Sequence, residues 1–426
     1  MKWAWSIAGI VVAAVVAFGA YRYPDLPFIP KKPPVKLVLL THWEDKPEFT
    51  QWYAEKARQF AKGSGSTVEV VTIPYPGYDA KYLEMLRASG GPDIFMGITH
   101  QWCGQYDLCD KMPSDLAATL DRKLPPSIKA FGEWKGVRYG IPIENGSFEQ
   151  MYINVDMFKA AGLNPDDPPK TMNDWLAALQ KLTTTGPDGS RQSGFLIRTN
   201  AHPTGLTTDF LPFAHAFGAR MLSPQVDKAT GYANSPEMTA ALTFFSDLAL
   251  KQKVANVDLD NPLQGFAKNR VAVVFFQSWY SDWLKKNAPD VKYKVYAVPC
   301  EKTCPGPDVL FPWTDLVNKN SPNKKQAWDF LRDISNAADD LEHHQRQGLL
   351  PMWAENIETE YVKARPDYRS VKDMLSRQPS PNYAHPKLED LARTFGEAVM
   401  SAVLGQGAPQ ALLDDAAAKM DRILKE

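Results

Sequence analysis

Apolar positions along this chain switch repeatedly between two periods. Residues 35–43, Val-Lys-Leu-Val-Leu-Leu-Thr-His-Trp, form a nearly continuous apolar run, the mark of a strand buried on both faces. From Pro47 to Lys62 the spacing changes, and Phe49, Trp52, Tyr53, Ala57 and Phe60 fall on one helical stripe. Gly63-Ser64-Gly65-Ser66 then turns the chain into a second strand, Thr-Val-Glu-Val-Val-Thr-Ile-Pro-Tyr at 67–75. Residues 80–88 read as another helix, closed by Gly90-Gly91, and 92–97 as a third strand. Strand and helix signals alternating in this way predict an α/β fold with a largely parallel sheet.

The alternation pauses once. Residues 139–143 and 150–154 both read as strands, and between them lies the polar stretch Glu144-Asn145-Gly146-Ser147. The same grammar then resumes. Thr171 and Asp174 form a variant capping box before a helix carrying Trp175, Leu176, Leu179 and Leu182. Ser235-Pro236-Glu237 supplies an N-cap, a proline at N1 and an acidic first turn to a helix with Ala241, Phe244, Phe245 and Leu248. Residues 271–276 and 292–299 read as strands. Ser321-Pro322 is read as the start of a helix with Ala327, Phe330, Leu331 and Ile334. Two amphipathic helices, 387–404 and 408–425, are divided by Gly405-Gln406-Gly407. One order of elements repeated on both sides of a short hinge predicts two α/β lobes. Ligands on such sheets bind beyond the carboxyl ends of the strands, so two facing sheets would make a cleft there. A few hinge residues could let it close.

Composition narrows the partners. The 426 residues are too many for one ordinary core, so two domains are expected. With 48 basic and 49 acidic residues there is no basic excess of the kind that neutralises phosphates, which argues against a nucleic-acid partner. A mean hydropathy of −0.35 excludes a polytopic membrane protein. The exception is residues 3–20, an uncharged apolar stretch ended by Arg22 and followed by Pro24, Pro27, Pro30, Pro33 and Pro34. It reads as an export segment, either a cleaved signal peptide or a retained membrane anchor, since it meets the length rule of both. Residues 1–24 are therefore assigned to this segment and 25–36 to a linker. No cysteine lies there to carry a lipid. The body is expected outside the cytoplasm, in the periplasm, either free or anchored to the inner membrane by this segment.

The four cysteines form two close pairs, Cys103/Cys109 and Cys300/Cys304. In an oxidising compartment an even count at short spacings reads as two local disulfides, with three connectivities open. A zinc site fits poorly without CxxC spacing, and His42, His100, His202 and His215 lack ligand spacing. No metal or other cofactor is expected.

Several longer segments carry a resemblance. These are YGIP…MYINVDMFKAAGL…PPKTMNDWLAALQKLT, then Phe217-Gly218-Ala219 with GYANSPEMTAALTFFSDL, then FAKNRVAVVFFQSW, LVNKNSPNKKQAWDFLRDIS and RQGLLPMW. Together and in this order they resemble the extracellular solute-binding proteins of ABC importers, family 1, the group of maltose-binding and glycerol-phosphate-binding proteins. The resemblance runs over about 36–405. Asn269 stands where the family's strand usually has glycine. The resemblance implies a two-lobe, type II binding-protein fold, each lobe a mixed, mostly parallel sheet flanked by helices. It implies three crossings, at 144–147, near Pro299 and near 341–349. Lobe one would be 37–143 plus 298–345, and lobe two 144–297 plus 346–426. It also implies a soluble monomer that captures a carbohydrate or related polyol and hands it to a membrane permease.

Candidate ligand-binding residues follow from position. Trp43 and Glu44 succeed the first strand, where an indole could stack on a sugar and a carboxylate could accept from its hydroxyls. His100 and Trp102 succeed the third strand, beside the Cys103/Cys109 pair. Glu144 and Asn145 lie in the hinge. Trp279 and Tyr280 end the 271–276 strand. Trp313 and Thr314 sit where the resemblance places a small-residue turn near the ligand, so the bulky Trp313 is a departure. Arg346, near the third crossing, could pair with an anionic ligand. Two other readings stand beside this one. The first is a membrane-anchored sensor or non-importing subunit of the same fold. The second is an extracytoplasmic glycoside hydrolase using Glu44 and Glu144, although no nucleophile or metalloprotease motif is present.

Overall fold

Each apolar run pairs with its neighbours into one of two sheets. The computed structural model describes residues 34–44, 47–74, 77–143, 149–187, 189–199, 203–257, 262–300, 306, 310–377, 380–381 and 383–426. The predicted hinge residues Glu144 and Asn145 lie outside these, as do residues 1–33.

The principal elements in chain order are β1 (Lys36–Thr41), α1 (Pro47–Ser64), β2 (Thr67–Thr72), α2 (Tyr78–Arg87), β3 (Ile94–Ile98), β4 (Gly140–Pro142) and β5 (Glu149–Asn154). They continue with α3 (Met172–Leu182), β6 (Arg191–Leu196), α4 (Pro203–Ala216), α5 (Pro236–Leu250), β7 (Ala255–Asn256), β8 (Val271–Gln277), α6 (Tyr280–Asn287) and β9 (Tyr293–Tyr296). The last are β10 (Trp313–Val317), α7 (Lys324–Asp333), α8 (Ala337–Gln347), α9 (Leu388–Val403) and α10 (Pro409–Lys425).

The first sheet has the order β2-β1-β3-β10-β4. β1 runs parallel to β2 and β3, and β10 runs antiparallel to β3 and β4. The second sheet has the order β7-β6-β8-β5-β9, with β6 parallel to β7 and β8, and with β5 antiparallel to β8 and β9. Consecutive strands therefore change sheet twice, between β4 and β5 and between β9 and β10. The mixture of directions is forced by β10 and β5, which enter their sheets from the far side after a crossing.

The helical stripes are buried as their spacing predicts. Phe49, Trp52, Tyr53, Ala57 and Phe60 of α1 lie in a core over the first sheet with Ile94, Met96 and Val317. Leu349, Met352 and Trp353 join that same core. Trp175, Leu179 and Leu182 of α3 belong to a second core, with Phe195, Phe210, Phe245 and Phe275. α9 and α10 complete that core through Phe395, Val399, Leu413 and Met420.

Local signals are obeyed with one correction. Thr171 caps α3, its hydroxyl accepting from the Asp174 N–H, and Ser235 caps α5 by accepting from the Met238 N–H. Ser321 does not start a helix. Its hydroxyl donates to the buried Asp93 carboxylate at 2.5 Å, and the chain turns once more before α7 begins at Lys324. Asp93 also accepts from the Val38 and Asn323 nitrogens, so Ser321 and its neighbours satisfy a buried carboxylate at the amino end of β3.

Trp175 is fully buried, stacked on Phe275 at 5.3 Å and edge-on to Phe195 at 4.9 Å. Trp175→Ala is expected to cost about 3–5 kcal/mol of unfolding free energy in urea titrations, as cavity-forming aromatic truncations do. A loss below about 1 kcal/mol would show that this cluster is not the anchor of the second core.

Candidate functional site

The carboxyl ends of β1, β3, β6 and β8 converge, and a cavity of about 160 Å³ lies there. Tyr78, Ile98 and Trp313 wall it from the side of the first sheet. Arg198, Thr204, Gly205, Thr208, Gln277, Phe311 and Glu389 wall it from the other. Arg198 follows β6 by two residues, and Gln277 is the last residue of β8. Thr204 and Thr208 stand on the first turns of α4, and Glu389 on the first turn of α9. Ligand sites at strand carboxyl ends are the rule for open α/β sheets.

The aromatic wall is built from below. His42, directly after β1, packs between Tyr78 at 4.4 Å and Trp313 at 4.3 Å. Thr314 is fully buried, and its hydroxyl donates to the Gly97 carbonyl at 2.8 Å and meets the Thr99 hydroxyl at 3.0 Å. This fastens the end of β10 to β3 and fixes the backbone that presents Trp313.

Charge in the cavity is largely answered. Arg198 pairs with Asp209 at 3.0 Å, and its guanidinium lies 4.5 Å from the Phe276 ring centre. Its buried Nε has no hydrogen-bond partner among the described residues and is a donor in reserve. Gln277 donates to Glu149. Burial and then the nearby Asp79 charge push the Glu389 carboxyl up to about 7.

Of the residues singled out in the sequence, Trp313 lines the cavity. Trp43 lies just behind it, 6.3 Å from Trp313 and edge-on to Phe49 at 3.9 Å, with 5% of its surface exposed. Glu44 is exposed. His100 and Trp102 fold inward on a π-helical turn, His100–Gln105. Burial lowers the His100 imidazole to about 3, with the His385 charge adding to it, which keeps it neutral. Trp102 is enclosed by Tyr82, Phe95 and Tyr106. Its ring needs the bare Cα of Gly97, where a Cβ would come within 2.4 Å of it.

Trp279 packs against hydrophobic clusters belonging to both sheets. Tyr280 is buried and donates to the Leu263 carbonyl at 2.7 Å. Arg346 reaches Glu55 and Glu342 in a surface ion-pair network. Cys103 and Cys109 form a disulfide. Cys300 is also disulfide-bonded, and its predicted partner Cys304 lies outside the described residues.

Tyr78, Arg198, Thr204, Thr208, Gln277, Phe311 and Glu389 escaped the sequence reading. Arg198 and Gln277 had a signal, since each directly follows an apolar strand run. Glu389 had none, because an acid in the first turn of a helix reads as dipole compensation.

Residues 55–369 match the family model for bacterial extracellular solute-binding proteins. The chain belongs to that family. Its activity is therefore the binding of a solute outside the cytoplasm, and it is not an enzyme. A protein of Brucella abortus (strain 2308) named as a binding protein is 29% identical over 394 residues, covering 88% of this chain and 90% of its own length. The solute-binding protein of Thermotoga lettingae bound with α-D-tagatose superposes with a TM-score of 0.77 at 22% identity, covering 92% of this chain and all of that one. The maltose/maltodextrin-binding domain from Bdellovibrio bacteriovorus bound to maltotriose gives 0.73 at 18% identity, with 92% and 100% covered. These likenesses establish the two-lobe binding-protein fold. Among the described residues, no helix is long and apolar enough to cross a membrane.

Behind the site, Asp315 of β10 is buried and accepts from the Tyr53 hydroxyl at 2.7 Å, yet burial pushes its carboxyl up to about 7. A carboxyl raised by folding stabilises fully below its unfolded value, and that contribution fades as pH rises through the folded one. Asp315→Asn is therefore expected to gain stability relative to the parent as pH rises from about 4 to about 7, and to level off above. Urea unfolding of both proteins across that range checks it, and parallel stability curves would contradict it.

Proposed function

We propose that this protein is the substrate-binding subunit of an ABC importer, capturing a carbohydrate or related polyol in the cavity and delivering it to a membrane permease. The observation that carries the reading is the cavity's composition. Tyr78, Trp313 and Phe311 offer aromatic faces, and Thr204, Thr208, Arg198 and Gln277 offer hydrogen-bonding groups. A pyranose or furanose ring has an apolar face and a rim of hydroxyls, and this division suits both. Arg198 is already paired with Asp209, which favours a neutral solute over an anion. The sugars bound by the structural neighbours support the same class.

The mechanism is selection of a closed form. The two lobes are taken as 37–143 plus 298–353 and 144–297 plus 354–426, the last boundary moved from the 345/346 expected in the sequence. The sheet changes between β4 and β5 and between β9 and β10 support the first two passages. The packing of Leu349, Met352 and Trp353 on the first core supports a third passage beyond Trp353, later than 341–349. A solute that touches both walls binds the closed form better and shifts the population toward it. The permease then reads the closed monomer. Residues 3–20 direct export, and the mass of the mature N-terminus tells a cleaved signal from a retained anchor.

A thermal-shift screen of sugars, oligosaccharides and polyols tests the class, since a ligand of the folded state raises the midpoint by mass action. Trp313→Ala is expected to weaken the best hit by about 1–3 kcal/mol in titration calorimetry, as the loss of a buried aromatic anchor does. Unchanged affinity in the folded variant would remove Trp313 from the site.

A further inference from the structure

The cavity at the carboxyl ends of the strands measures about 160 Å³. A protein cavity of about 150 Å³ accepts a single benzene ring, whereas pockets for drug-sized ligands run from about 300 to about 1,000 Å³. By volume there is room here for one six-membered ring, with its hydroxyls directed to the walls and the mouth.

Neither wall is free to retreat and enlarge that space. On the first side the Trp313 indole is backed by three other rings. His42 lies 4.3 Å from it, Tyr78 6.0 Å and Trp43 6.3 Å. Trp43 is in turn edge-on to Phe49 at 3.9 Å, and Tyr78 to Tyr82 at 5.2 Å. Trp313 packs against two hydrophobic clusters, so swinging it aside would disturb both. Its backbone is held through Thr314, bonded to Gly97 and Thr99. Interiors at crystal-like density do not yield by the width of a ring. On the second side α4 carries Thr204 and Thr208, and α9 carries Glu389. The Thr207 hydroxyl of α4 donates to the Ala392 carbonyl of α9 at 2.6 Å. The two helices are so close that a Cβ on Gly396 would come within 2.0 Å of the Pro203 carbonyl oxygen.

The polar groups also suit one ring. Arg198 offers its unpartnered Nε as a donor. The Thr208 hydroxyl donates to the Thr204 carbonyl at 3.1 Å, which leaves its oxygen to accept. Gln277 gives an amide hydrogen to Glu149 and keeps its amide oxygen as an acceptor. Hydroxyls both donate and accept, so a few of them on one ring answer this set.

We propose that the solute is a single-ring sugar or cyclic polyol, and that the ring-backed Trp313 is the wall that turns away solutes with a second ring. This rests on the reading of the cavity as a carbohydrate site. It narrows that reading to monosaccharides and compounds of their size.

Titration calorimetry with D-glucose, D-galactose, D-tagatose and myo-inositol, against maltose and maltotriose, tests this. The best one-ring probe is expected to bind the wild type at least about a hundredfold more tightly than either oligosaccharide, a ratio that a steric wall can supply. Trp313→Ala removes an indole about as large as a sugar ring. It is expected to bind the one-ring probe less tightly and maltose more tightly than the wild type does, a gain that misfolding cannot produce. Trp313→Phe, which keeps a smaller ring against His42 and Tyr78, is expected to fall between the two. Maltose or maltotriose bound by the wild type as tightly as the best one-ring probe would overturn the proposal and leave the carbohydrate reading standing. Folded Trp313 variants with the wild-type ratio would overturn the role of the wall. Binding of none of the probes would overturn the proposal and the carbohydrate reading together.

Discussion

The return of residues 313–317 to the side of β3 is the constraint on which the site depends. β10 arrives from far along the chain and runs antiparallel between β3 and β4. It does so with two adjacent polar anchors on its opposite faces, the Thr314 hydroxyl on Gly97 and Thr99, and Asp315 under Tyr53. Buried polar groups of this kind fix register, because any other pairing would leave them unsatisfied. The register in turn decides that Trp313, and not the neighbouring side chain, faces the cavity. Without the strand, His42 and Tyr78 would lose the ring against which they pack.

Much of the architecture is legible from local pattern. The stripe from Phe49 to Phe60, the caps at Thr171 and Ser235 and the apolar run of β8 each depend on neighbours within a few residues. The class of fold follows from their order. The antiparallel entry of β5 and β10 is not local, and nothing within either segment announces its direction. Ser321 shows a smaller failure of the same kind. It carries a good capping signal, but its hydroxyl accepts from the Asn323 N–H in a turn while donating to a buried carboxylate more than two hundred residues away, and the helix begins only at Lys324.

The site was less legible than the fold. Position after a strand is a real signal, and it led to Trp43, whereas Trp313, at the start of its strand, was reached only through the resemblance. The same rule led to Trp102 and His100, but there the chain coils at once into a π-helical turn and takes both side chains inward. Glu389 and Thr204 come from helix starts on a different part of the chain. Their approach to the cavity is set by how α4 and α9 pack together, which no local spacing encodes.

The Arg198 guanidinium has a kinetic meaning as well as a geometric one. Its charge is matched by Asp209 and its face rests on Phe276, so it enters the cavity as a hydrogen-bond donor with little net field around it. Long-range attraction falls away within a Debye length, and a paired charge projects even less. Encounter between this cleft and an uncharged solute is then governed by diffusion and orientation, with little dependence on ionic strength. For a receptor working outside the cytoplasm, where salt follows the surrounding medium, uptake would keep its pace as that medium changes.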